Sequence, residues 1–260
     1  MNVKHGLLPN PVFFLGARIF PWTMVQTLQE IGRRLDAGEF TQHCVVNVAK
    51  VVNMRLDVSL RDAVNECDII NIDGMGLVWG ARILGVDVPE RVAGIDLFFS
   101  LLSLAVDRGD SVFFLGARKD VVNEVVRRIH RDYPLLKIAG WHDGYFWDDE
   151  GAVVKQIADS GATMLFVGIS SPKKEQFVYR WRDQLGVKFA MGVGGTFDIV
   201  AGKVRRAPFL MQRVGLEWLF RVVQEPRRMW RRYFVTNSIF MGMLFWELVH
   251  SKLKEKTGRN

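Results

Sequence analysis

Asp73 is the residue of this sequence best placed to move a proton. It follows the apolar residues Ile69, Ile70 and Ile72 and precedes Gly74, which is where a strand should end. A carboxylate at the carboxyl end of a strand, in a partly desolvated cleft, gains the proton affinity that a general base needs. The alternative is an Asp that caps the following helix. For Asp96, in RVAGIDL, capping is the stronger reading. Asp143 and Asp198 are further loop carboxylates beside glycine-rich turns. Glycines gather where other strands should end: Gly74 and Gly76, Gly116 after Phe113–Leu115, and Gly192, Gly194 and Gly195 after Phe189–Met191. At such turns the backbone can approach a ligand closely, and its N–H groups can hold a pyrophosphate.

Other chemistries lack their residues. No G-x-G-x-x-G opens a helix with an acidic residue about 20 positions on, and there is no Walker A loop, which disfavours a nicotinamide enzyme or a kinase. No G-x-S-x-G is present. There is no D-x-D, and the five histidines have no paired spacing, so no dedicated divalent-metal site and no cofactor is indicated. Without a metal, a diphosphate leaving group would have to be neutralised by arginines, which can bind phosphate bidentately.

Positioning those residues requires strands that alternate with helices. Strands are expected at Val12–Leu15, Cys44–Val48, Asp68–Ile72, Ser111–Leu115, Lys137–Ala139, Met164–Val167 and Lys188–Met191. Helices are expected at Thr23–Ala37, Leu60–Glu66, Gly76–Leu84, Ile95–Asp107, Val121–Asp132, Gly151–Asp159, Pro172–Gln184 and Leu216–Gln224. The alternation predicts an α/β, Rossmann-like, mostly parallel sheet with helices on both faces and ligands beyond the strands' carboxyl ends. The heptapeptide VFFLGAR, at 12–18 and again at 112–118, raises the idea of two equivalent strand-to-loop units. The composition agrees with a folded globular chain: 260 residues, 49% hydrophobic and 24% charged. Two cysteines are too few for a disulfide framework and point to a reducing compartment. The N-terminus is a poor signal peptide, because Pro9, Asn10 and Pro11 interrupt its apolar run.

Charge divides the chain into a body, 1–202, and an appendage, 203–260. The appendage holds 13 Lys/Arg and 4 Glu, and the body is close to neutral. A basic tail implies an anionic partner: lipid headgroups, nucleic acid or a phosphorylated substrate. Tyr233–Trp246 is an uncharged stretch of 14 residues, shorter than the ~20 residues that span a bilayer. Placed after Arg227, Arg228, Arg231 and Arg232, it reads as an interfacial segment on an anionic membrane surface. A last helix packed on the core, or a homo-oligomer interface, would also explain it. A nucleic-acid binder would interleave basic and aromatic residues, so nucleic acid is not the expected partner. A non-catalytic membrane- or nucleic-acid-binding α/β protein is the rival reading.

Seven stretches in order carry a resemblance: NIDGMGLVWGARILG (71–85), PERVAGIDL (89–97), VFFLGA (112–117), GYF (144–146), SPKKEQF (171–177), GVGGTFDIVAGKVRRAP (192–208) and GLEWLFRVVQEPRR (215–228). Together they resemble the WecG/TagA/CpsF glycosyltransferase family. The resemblance implies an inverting, metal-independent transferase that moves a sugar from a UDP-sugar to a polyprenyl-diphosphate-linked saccharide in cell-surface polysaccharide synthesis. It would work peripherally at the cytoplasmic face of the bacterial inner membrane, through a C-terminal helical appendage. The family's base falls on Asp73 and its appendage arginines on Arg221, Arg228 and Arg231. Substrate contacts fall on Gly74, Arg91, Asp96 and Gly116 in the first half of the chain. In the second half they fall on Lys174, Glu175, Gly194, Gly195, Thr196, Asp198 and Arg206. Two departures stand out. Where the family often has P-K-Q-E, this chain has Lys174 in place of the Gln, and a Thr-containing turn is replaced around Val46 and Asn47, where Asn47 would supply a polar substrate contact. Both would be compatible with a hexose rather than an N-acetylated donor.

Overall fold

The protein is described by a computed structural model covering residues 8–257, with side chains to residue 250 except that of residue 228. A hairpin comes first, β1 (Val12–Phe14) and β2 (Ala17–Ile19), followed by α1 (Met24–Ala37), β3 (Thr41–Val46), α2 (Val48–Leu56), α3 (Val58–Asn65) and β4 (Ile69–Ile72). Two helices, α4 (Met75–Ile83) and α5 (Gly94–Arg108), lead to β5 (Ser111–Gly116), α6 (Lys119–Asp132), β6 (Lys137–His142), α7 (Glu150–Asp159), β7 (Met164–Gly168), α8 (Lys173–Trp181) and β8 (Phe189–Gly192). The chain closes with α9 (Thr196–Val200), α10 (Phe209–Arg213), α11 (Glu217–Gln224) and α12 (Pro226–Thr257).

Six strands form one all-parallel sheet in the order β4-β3-β8-β7-β5-β6. Parallel strands buried on both faces are apolar without alternation, which is why the runs in the sequence read as strands. Their two faces feed separate cores. Val112, Phe114, Met164 and Phe166 meet α1, α5, α6 and α9 on one side. Phe113, Leu115, Leu165 and Val167 meet α7 and α8 on the other, and there Cys44, Val46, Ile70 and Ile72 meet α2, α3 and α4.

Three expectations are corrected. Val12–Leu15 is no strand of the main sheet: β1 pairs antiparallel with β2, because Leu15 and Gly16 both adopt positive φ and turn the chain back at once. The two VFFLGAR copies are therefore not equivalent; the second runs straight through β5 in the sheet interior. Val48 does not end a strand. It is the first residue of α2, whose N-cap Asn47 accepts the Lys50 N–H at 3.0 Å.

The uncharged stretch 233–246 lies within α12. Thr236, Phe240, Met243 and Leu244 are buried, and the last three of these join the core beneath α2 and α4. Gly80 of α4 permits that seam: a Cβ there would lie 2.8 Å from the Phe240 ring. The opposite side of the same stretch is exposed, with Phe234 at 67% and Phe245 at 70%. Packing thus accounts for one stripe of the stretch and leaves the other uncovered. No helix among the described residues is long and apolar enough to cross a membrane.

Candidate active site

The helix after β3, α2, lies on one face of the sheet, and the helix after β8, α9, lies on the other. Neighbouring strands whose connections part in this way open a crevice at their carboxyl ends. The turns after β3, β4 and β8 rim it with Asn47, Asp73, Gly74, Gly194, Gly195 and Thr196. A broader groove of about 530 Å³ lies by the β6 edge against α7, lined by Phe113, Ala139, Gly140, Lys155 and Asp159 among others. It holds no convergent set of reactive groups, so the crevice is the better candidate.

Asp73 does not cap α4. The N-cap of that helix is Gly74, at φ 128°, and no side chain caps it. The Asp73 backbone N–H instead donates to Val46 O at 2.8 Å, tying β4 to β3. Its carboxylate faces inward beside Gly94. Burial raises its proton affinity. The Arg91 guanidinium opposes this, Glu217 adds to it, and the Gly94 N–H and Arg221 oppose it; the net shift is upward. A carboxylate with raised proton affinity in a cleft has the character of a general base.

Two ion pairs bring the appendage to this place. Arg91, just before the Val92 N–H that donates to Ile72 O at 2.9 Å, pairs closely with Glu217 at the start of α11. Arg206 grips Asp96 of α5 with both terminal nitrogens at 2.7 Å; Asp96 is thus a tether, since the α5 N-cap is Ala93. Gly215, at φ 71° two residues before α11, packs against Met75, to which a Cβ would come within 2.6 Å. Arg221, one turn after Glu217, is exposed yet near enough for its charge to act on Asp73. Arg231 is exposed on α12, and the Arg228 side chain lies outside the described residues.

Lys174 and Glu175 are placed differently from a free donor contact. Glu175 Oε1 receives Lys50 Nζ at 2.7 Å and Lys174 Nζ at 3.0 Å, with every side chain of the trio 8% exposed or less. Burial alone would push the Glu175 carboxyl up, but Lys50 and Lys174 outweigh it and hold it down to about 2. The Lys174 stem runs across Gly192, where a Cβ would meet it at 2.7 Å. An already paired, enclosed ammonium is not free to select a donor sugar. The inference against an N-acetylated donor, drawn from Lys174, therefore loses its physical basis. Gly116 presses against the Gly168 backbone, 2.6 Å from a would-be Cβ; strand packing explains that glycine. Asp198 lies in α9, and its backbone oxygen accepts the N–H groups of Lys203 and Val204. Two contributors escaped the sequence reading, Lys50 and Glu217. Each lies some 125 residues from its partner, a separation that leaves no local signal.

Residues 12–254 match the sequence profile of the "Glycosyl transferase WecG/TagA/CpsF family". An N-acetylglucosaminyldiphosphoundecaprenol N-acetyl-beta-D-mannosaminyltransferase of Bacillus spizizenii is 40% identical over 188 residues, 72% of each chain. One of the same name from Bacillus subtilis is 39% identical over 171 residues, 66% of each chain. The chain belongs to the WecG/TagA/CpsF family of glycosyltransferases.

Proposed function

We propose that this member of the family transfers a hexose or N-acetylhexosamine from a UDP-sugar to a polyprenyl-diphosphate-linked saccharide, with inversion, at an anionic membrane surface. The relatives' printed names support a lipid-diphosphate acceptor and a sugar of the N-acetylmannosamine type. The observation that carries the reading is the Asp73 carboxylate, inward-facing at the end of β4 and overhung by a helix bearing Arg221.

In this mechanism the acceptor hydroxyl oxygen attacks C1 of the sugar from the face opposite UDP. Asp73 takes the hydroxyl proton as the new C–O bond forms. The bond from C1 to the diphosphate breaks, and its electron pair leaves with UDP. Arg221, Arg228 and Arg231 neutralise the departing charge, and the turn Gly194–Thr196 faces the diphosphate. Losing one such donor typically costs about 3–4 kcal/mol of transition-state stabilisation. The uncovered apolar stripe of α12 and the arginines that precede it suit an interface rich in anionic lipid.

The test is UDP release from sugar donors in the presence of lipid-linked acceptor. Asp73→Asn should lower turnover by about 10²–10⁴-fold, the range of a lost general base. UDP should still protect that variant against thermal unfolding. Turnover retained by Asp73→Asn would reject the base assignment, and absence of saturable UDP binding in the parent chain would reject the transferase reading.

A further inference from the structure

Arg91 interacts with two carboxylates. It pairs closely with Glu217, while among the described residues no salt bridge joins it to Asp73, although its charge acts there. A guanidinium drawn into contact with a general base would hold that base in its ionised form and weaken it. Something must keep the two apart, and Glu217 is the group in place to do so. Its backbone is fixed in two ways. The Gly215 turn seats the start of α11 on Met75. At the other end of the helix, the Gln224 amide exchanges hydrogen bonds with the Arg205 backbone, N–H to Oε1 at 3.1 Å and Nε2 to O at 3.0 Å.

We propose that Glu217 is a positioning residue that holds the Arg91 guanidinium off Asp73, so that the base is competent only while α11 is docked. The proposal rests on the reading of Asp73 as the base. The charged groups facing Asp73 come from three places: Arg91 from the α4–α5 loop, Glu217 and Arg221 from α11, and Arg206, itself held by Asp96, from the segment before α10. Of these, Glu217 is the anion that engages Arg91. Removing its charge withdraws one anion from the surroundings of Asp73 and frees a cation to approach it. Both changes lower the proton affinity of Asp73.

The test compares the full-length chain with Glu217→Gln, Glu217→Asp and Asp73→Asn. Glu217→Gln should lower kcat by about ten- to a hundredfold and leave the donor KM nearly unchanged. The acid limb of its pH profile should move to lower pH. Glu217→Asp should recover part of the rate. Carbon NMR of labelled aspartate, with the Asp73 signal assigned by its loss in Asp73→Asn, should show Asp73 titrating at lower pH in Glu217→Gln without any acceptor present. In an Arg91→Gln background the Glu217→Gln shift should shrink. An unshifted Asp73 titration in folded Glu217→Gln overturns the proposal even if activity falls, because a merely structural role would do that much. Active Asp73→Asn would instead overturn the base reading beneath it.

Discussion

The body and the appendage solve opposite problems with the same residue types. In the body, the buried charges of Lys50, Glu175 and Lys174 are paired with one another, and the large apolar side chains Phe98, Phe113, Phe114, Phe166 and Phe189 are fully enclosed. In α10 and α11 no residue is buried. There Phe209, Leu210 and Val223 face outward, as do Trp230, Phe234 and Trp246 on α12, beside the exposed Arg231 and Arg232. A monomer in water rarely displays so large an apolar surface unless that surface has a partner. The body is built to exclude water from its interior. The appendage leaves apolar side chains uncovered by the chain itself.

The comparison breaks most severely at the buried trio. Glu175→Ala strands two enclosed ammonium groups and should cost about 3–5 kcal/mol of stability, read by denaturant unfolding. The same carboxylate sets an acid limit. Its folded pKa of about 2 lies below its unfolded value, so its contribution is complete above the unfolded pKa of roughly 4.3. It is then lost as pH falls towards about 2. In Glu175→Ala the loss of stability across that acid window should be shallower. Next comes the seam. Phe240→Ala empties the contact with Gly80 and should cost about 3 kcal/mol, with α12 gaining hydrogen-exchange rate before the sheet does. Equal exchange throughout would mean that the body and the helix unfold as one. The smallest effect belongs to the uncovered side. Arg231→Gln with Arg232→Gln should leave the unfolding midpoint in place yet weaken sedimentation with anionic vesicles by about 2 kcal/mol, roughly 1 per charge. Unchanged vesicle binding would remove the contrast on which the appendage reading depends.

Much of the body is legible in the sequence because its signals are local. Apolar runs that stop at Gly or Asp mark five of the six strands of the sheet, and Thr23 with Gln26 is a reciprocal capping box that fixes where α1 begins. Asp73 could be singled out for the same reason. What escaped depends on distance or on a silent pattern. The apolar run Cys44–Val48 continues past the strand, and only Asn47, read as a cap, reveals that α2 begins there. α12 has apolar residues nearly all round its middle, so no helical period distinguishes the stripe on Gly80 from the stripe left bare. Lys174 looks like a substrate contact beside Pro172 and Gln176. Only the fold brings Lys50 and Glu175 together from 125 positions apart.

The contact between Gly80 and Phe240 makes α12 a ruler. One rigid rod carries both the buried side chains and, about 12–14 Å nearer its start at 1.5 Å per residue, Arg231 and Arg232. Their angular direction is therefore inherited from the seam. One extra residue between Arg232 and Thr236 would swing both guanidinium groups about 100° around the axis. Chain length in that interval, more than the identity of any residue in it, decides which way the cations point.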